Sequence, residues 1–209
     1  ARLRELGIES FHMEAVKDDP TVMSEKLKET AKAADMIITT GGVSVGKKDI
    51  MHESLRLMGA ERIFWRVKMK PGMPTLFSAY KKTSDITATD NCASEREIPI
   101  ISLSGNPFGV AVSIELLIRP ALEKMMQDPS IGLKEVNGIM ADNFEKGIKG
   151  RRFIRAYLEN GKFHLPNGLH SNGVLSSMAG CNCLIDTKNV ENQESRSLNA
   201  GDKVGAILL

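Results

Sequence analysis

The sequence predicts an α/β protein: a doubly wound, mostly parallel sheet followed by a small all-β, barrel-like domain. Two observations carry this. Continuous β-favouring runs at 36–40 and 99–103 each pass through a Gly- or Pro-rich turn into helical spacing, the strand-loop-helix unit of a parallel sheet. After Asp128-Pro129-Ser130-Ile131-Gly132 the texture changes to short alternating segments with Asn-Gly pairs at 137–138, 160–161, 167–168 and 172–173, the dipeptide that most favours a hairpin. The expected division is therefore 1–128 for the α/β part, truncated at its N-terminus, and 129–209 for the barrel.

In order along the chain, Leu3 and Leu6 before Gly7 read as the end of a helix, and 8–16 as a strand. Asp18-Asp19-Pro20 supplies an N-cap carboxylate with Pro at the first helical position, and the helix to Ala34 is expected to bury Val22, Leu27, Ala31 and Ala34. The strand at 36–40 meets Gly41-Gly42-Val43-Ser44-Val45-Gly46, then a helix over 49–58 stopped by Gly59. A strand at 63–69 turns through Lys70-Pro71-Gly72-Met73-Pro74 into a hairpin partner at 75–80, and 81–97 is a polar loop. The strand at 99–103 ends in Ser104-Gly105-Asn106-Pro107, and the helix over 108–127 is kinked or divided by Pro120.

Composition narrows the function. The 209 residues carry 28 Lys plus Arg and 26 Asp plus Glu, a formal charge of +2 that gives no electrostatic case for nucleic-acid binding. No apolar run reaches the roughly 18–20 residues that span a bilayer. Three cysteines and no signal peptide point to a reducing cytoplasm.

Ligands of open parallel sheets bind beyond the carboxyl ends of the strands, and two loops lie there. The first offers Gly41, Gly42, Ser44 and Gly46, whose backbone N–H groups can approach a phosphate, with Asp49 on the first turn of the next helix. A tight turn and a helix-start carboxylate are the simpler alternatives. The second offers Ser104, Gly105, Asn106 and Pro107, or simply a turn with Pro at helix position N1. Between them, 61–82 holds Arg62, Arg66, Lys68, Lys70, Lys81 and Lys82 against Glu61 alone, a solvated face or an anion clamp. Lys146, Lys149, Arg151, Arg152 and Arg155 form a second basic run. Cys181-Asn182-Cys183 lacks zinc spacing, Cys92 has no base beside it, and His12, His52, His164 and His170 show no metal spacing, so these read as surface or strand-face residues.

Three motifs in register resemble the molybdopterin molybdenumtransferase family, related to the gephyrin E-domain: Thr39-Thr40-Gly41-Gly42-Val43-Ser44-Val45-Gly46-Lys47-Lys48-Asp49, Met69-Lys70-Pro71-Gly72-Met73-Pro74 and Leu103-Ser104-Gly105-Asn106-Pro107. The segments Arg152-Phe153-Ile154-Arg155-Ala156, His170-Ser171-Asn172-Gly173-Val174-Leu175 and Gly180-Cys181-Asn182-Cys183-Leu184-Ile185 resemble that family's C-terminal barrel. The resemblance implies the C-terminal half of an enzyme of molybdenum cofactor biosynthesis, which takes adenylylated molybdopterin and molybdate and, with Mg2+, releases AMP. It implies that the 41–46 loop holds the pterin phosphate and that Asp49 is catalytic and faces Mg2+. It implies that Ser44, Lys68 and Lys70 and the 104–107 loop contact phosphate or molybdate, with Arg152 or Arg155 reaching in from the barrel. It further implies a homodimer of the full-length protein, and a half that is inactive alone. Two departures stand out: Met73 where many members carry a second lysine, and Ser104 where many carry proline. The competing expectations are a non-catalytic molybdopterin-binding scaffold and a competence-damage-type nucleotide amidase or hydrolase. The latter shares the glycine loop but not the barrel.

Overall fold

The computed structural model describes residues 2–9, 15–43, 49–82, 96–148, 150–167, 178–188 and 196–209. The chain divides into two compact units, Ala1–Trp65 with Leu76–Ser102, and Arg66–Thr75 with Leu103–Leu209. This division falls at different residues from the boundary expected near 129.

The first unit begins with α1 (Arg2–Glu5) and α2 (Pro20–Ala31). Asp19 caps α2, its carboxylate accepting from the Thr21 and Val22 N–H groups at 2.8 and 3.0 Å. The buried face of α2 is Ser24, Leu27 and Ala31, whereas Val22, expected inside, is 47% exposed. The helical period explains the difference: the five residues from Val22 to Leu27 rotate the side chain about 140° off the buried face. Then come β1 (Ile37–Thr40), α3 (Met51–Met58), β2 (Glu61–Trp65), β3 (Leu76–Lys82) and β4 (Arg96–Leu103). The sheet order is β1-β4-β3-β2, with β2, β3 and β4 paired antiparallel. The α/β expectation holds, but the mostly parallel sheet does not: β3 pairs antiparallel with both β2 and β4, because the hairpin partner expected at 75–80 is β3 and it lies between them. β2 ends at Trp65 rather than running to Met69, because Arg66 turns to φ +72°, which no strand continues through. α3 and α2 pack on this sheet through Leu27, Ile37, Met51, Leu55, Met58, Leu76 and Ile100. The strand expected at 8–16 lies largely outside the described residues, as does most of the loop at 81–97.

In the second unit, α4 (Pro107–Ser113) leads through a π-helical turn at Ile114–Ile118 into α5 (Arg119–Met126). The expected break near Pro120 takes this form: Pro120 has no N–H to give, and the wider turn just before it bonds Arg119 N–H back to the Ile114 carbonyl. Among the described residues seven strands follow: β5 (Lys134–Met140), β6 (Phe144–Ile148), β7 (Phe153–Glu159), β8 (Lys162–His164), β9 (Cys183–Asp186), β10 (Arg196–Leu198) and β11 (Lys203–Leu208). Five close a barrel in the order β11-β5-β8-β7-β9, and β10 pairs with β6. Alternation sorts each strand: Ile154, Ala156, Cys183 and Ile185 fill the barrel, while Phe153 and Leu184 turn outward onto Phe108 and Val112 of α4.

Of the Asn-Gly pairs, Asn160-Gly161 makes the β7–β8 hairpin turn with φ values of +49° and +76°, the positive pair such turns require. Asn137-Gly138 does not make a turn but lies inside β5, where a Cβ on Gly138 would meet the Gly161 carbonyl and the Phe163 ring at 2.8 Å. Close backbone approach, rather than a turn, fixes this glycine. The pairs at 167–168 and 172–173 fall wholly or partly outside the described residues.

Candidate functional site

β1 delivers the chain into Gly41 and Gly42, with φ of +91° and +66°, a backbone path that side-chain-bearing residues rarely take. The Gly42 carbonyl accepts from the Met51 N–H at 3.1 Å, and the Val43 carbonyl from the Trp65 indole at 3.2 Å, so the turn is fastened to both α3 and β2. A Cβ on Gly42 would press Met51 Cγ at 3.2 Å. Beside this turn is a cleft of about 420 Å³ lined by Ile38, Thr39, Thr40, Gly41, Gly42 and Ile50, among others. Ser44 and Gly46, the other predicted residues of the loop, lie outside the described residues.

Asp49 is not on the first turn of α3. Ile50 is the N-cap, with no side-chain cap bond, and Asp49 precedes it. Both Asp49 carboxylate oxygens are buried and have no hydrogen-bond partner among the described residues. Burial pushes its carboxyl above the usual carboxylate range, and the nearby His52 partly offsets this. Asp49 lines a separate cleft of about 480 Å³, which it shares with His52, Arg62 and Ser78. The reading of Asp49 as a helix-start carboxylate therefore has no bond to rest on. His52, taken from sequence as a surface or strand-face residue, is half-buried on α3 with its ring edge-on to Trp65, centroids 4.7 Å apart. Its place three residues after Asp49 was the available signal. Among the described residues no three His, Cys, Asp or Glu side chains cluster as a metal cage.

In the second unit, Asn106 caps α4 by accepting from the Gly109 N–H at 3.0 Å, with Pro107 at N1 as expected. Gly105 is exposed, and Ser104 Oγ is buried without a partner among the described residues. The Lys70 backbone is held from both sides, its N–H donating to the Arg151 carbonyl at 3.0 Å and its carbonyl accepting from Phe153 N–H at 2.8 Å. Lys70, Arg152 and Arg155 line one small pocket together with Phe108 and Phe144. Arg155 is only 1% exposed, with its guanidinium 4.3 Å from the Phe108 ring centroid. Burial pulls its pKa down, opposed by Cys181. Arg152 lies over Phe144 at 5.9 Å, and its Nε is buried without a partner among the described residues. Arg151 instead pairs with Asp186 at 2.7 Å. Lys68 is exposed and does not line this pocket. Thus the structure gathers Lys70, Arg152 and Arg155 in one place, and separates Asp49 from Gly41 and Gly42 into neighbouring clefts of the first unit.

The profile of a probable molybdopterin binding domain matches residues 1–124. The chain belongs to that family. In this molybdopterin binding domain protein a second profile, the MoeA C-terminal region (domain IV), matches 137–209. Curated relatives named molybdopterin molybdenumtransferase include one from Staphylococcus aureus strain Mu50, 29% identical over 211 residues covering 100% of this chain and 46% of the relative. Another, from Bacillus subtilis strain 168, is 27% identical over 188 residues covering 88% and 40%. The chain therefore spans about half the length of the curated relatives it matches. A solved molybdopterin biosynthesis MoeA protein of Pyrococcus horikoshii superposes with a TM-score of 0.70 at 17% identity, covering 99% of this chain and 45% of that one. A molybdenum cofactor biosynthesis protein of Pyrococcus furiosus gives 0.64 at 18%, covering 93% and 56%. These two likenesses establish the fold: an α/β domain followed by a small β domain. Among the described residues no helix is long and apolar enough to cross a membrane.

Proposed function

We propose that the chain binds molybdopterin, in its adenylylated form, and serves the step of molybdenum cofactor biosynthesis that inserts molybdenum from molybdate and releases AMP. The observation that carries this is the β1 turn: two positive-φ glycines line a cleft of about 420 Å³, in a chain of the molybdopterin binding domain family. The phosphate of the pterin is the group such a turn suits. Lys70, Arg152 and Arg155 form the oxyanion pocket, for molybdate or phosphate.

Asp49 is the catalytic carboxylate. Its two carboxylate oxygens, buried and unpartnered among the described residues, would hold Mg2+. When bound, that ion neutralises charge on the cleaved phosphoanhydride. The protein's own contribution is to hold the carboxylate buried and unspent. The active enzyme is a cytoplasmic homodimer that includes further chain, and residues 1–209 alone turn over poorly, since they span 46% of a curated relative. We also propose that two sequence segments meet near residue 129, between the two profile matches. The β-domain match is the observation that favours this reading over the nucleotide amidase.

Calorimetric titration of the chain with molybdopterin tests the proposal. Thr40→Glu places a charged side chain in the cleft from an exposed position, and is expected to weaken binding at least about tenfold. Unchanged affinity in a variant of unchanged melting temperature would overturn the assignment.

A further inference from the structure

We propose that the Asp49 cleft contains a phosphate-binding subsite made by Arg62, Ser78 and His52. This subsite rests on the functional reading above and adds residues to it. Arg62 of β2 and Ser78 of β3 are register partners, so their side chains rise from the same face of the hairpin. Ser78 is 0% exposed, and its hydroxyl has no hydrogen-bond partner among the described residues although it lines the cleft. His52 Nε2 is likewise buried without a partner among them, and His52 lines the same cleft. Buried polar atoms left in this state are costly unless something fills the space.

The charges select the ligand. Arg56, also on this cleft, is held by Glu53 through two bonds of 2.6 and 2.9 Å, so those two cancel. Arg62 has no ion-pair partner among the described residues and supplies a planar fork of donors. A guanidinium, a hydroxyl and an imidazole N–H together suit a phosphate group, which offers three or more acceptor oxygens. The Asp49 carboxylate on the same cleft repels a bare anion, so a divalent cation strengthens phosphate binding here.

The chain contains one tryptophan, and Trp65 touches His52, so intrinsic fluorescence reports on this cleft. The whole chain is titrated with AMP, inorganic phosphate and adenosine, each with and without Mg2+, following Trp65 emission and heat. The expected result is a saturable emission change with AMP and with phosphate, stronger with Mg2+ and lost for adenosine. Arg62→Gln at the exposed guanidinium, and Ser78→Ala in the core, should each weaken phosphate binding about tenfold or more. Equal binding of adenosine and AMP, or wild-type affinity in Arg62→Gln, would overturn the subsite. Arg62→Gln is exposed enough that its melting temperature controls for folding. If phosphate binding ignores Arg62 while Thr40→Glu still weakens pterin binding, the subsite fails and the functional reading stands. If the pterin does not bind the wild-type chain at all, the functional reading itself fails.

Discussion

Replacing Asp49 by Asn separates a catalytic carboxylate from a structural one. A helix-start carboxylate acting on the helix dipole would make the variant less stable by about 0.3–1 kcal/mol, since asparagine keeps the capping oxygen but loses the charge, which lowers the melting temperature of a chain this size by at most about 2–4 °C. The structure predicts no such loss, because Ile50 rather than Asp49 occupies the N-cap position of α3 and neither Asp49 oxygen bonds a backbone N–H among the described residues. The pH dependence gives the sign. Burial raises the folded carboxyl above its unfolded value, so the folded state holds that proton more tightly. Stability from this group is therefore fully present below the unfolded pKa and is lost as pH rises through the folded one. Asparagine has no proton to lose, so Asp49→Asn should match the wild type in acid and melt equal to or above it at neutral pH. Thermal melts between pH 4 and 8 read this directly. In the complete enzyme the same substitution should slow AMP release at least about a hundredfold, roughly 2.7 kcal/mol of barrier. A melting temperature lowered at neutral pH with near-normal AMP release would refute the reasoning.

Three further outcomes follow from the second unit. Gly138→Ala should destabilise by about 1–3 kcal/mol in urea titrations, since its Cβ would meet a backbone carbonyl and a ring at 2.8 Å. Arg119, 5% exposed, pairs with Glu115 at 2.9 Å and donates to the Ile131 and Leu208 carbonyls. Arg119→Met should therefore cost about 3–5 kcal/mol, and adding Glu115→Gln should recover part by removing the stranded charge. Burial, with Cys181 adding to it, pushes the Cys183 thiol up to about 12, so at pH 8 peptide mapping should find Cys183 alkylated only after unfolding.

What was legible in the sequence was mostly local. Asp19-Pro20, Asn106-Pro107, Gly59 and Asn160-Gly161 announce caps and turns because each satisfies or redirects its own neighbours' backbone. The family motifs located the β1 turn and Lys70 in the same way. What depends on partners distant in sequence was not legible. Gly138 looks like a turn until Phe163 and Gly161 arrive beside it. Arg62 is one of several cations in a basic stretch until strand register sets it opposite Ser78. Lys70 is a loop lysine until the bridge to Arg152 brings the barrel's arginines to it. Asp49 was found by its motif, but its burial without a partner among the described residues is a fact of packing.

The proposed place of the pterin is the edge of the sheet at Gly41 and Gly42. Hydrogen–deuterium exchange of the chain with and without molybdopterin tests it most directly, because it reports position as well as binding. Slowed exchange is expected in peptides covering 38–43, with little change in the barrel strands β5 and β11. Protection confined to the barrel, with 38–43 exchanging as in the free chain, would contradict it.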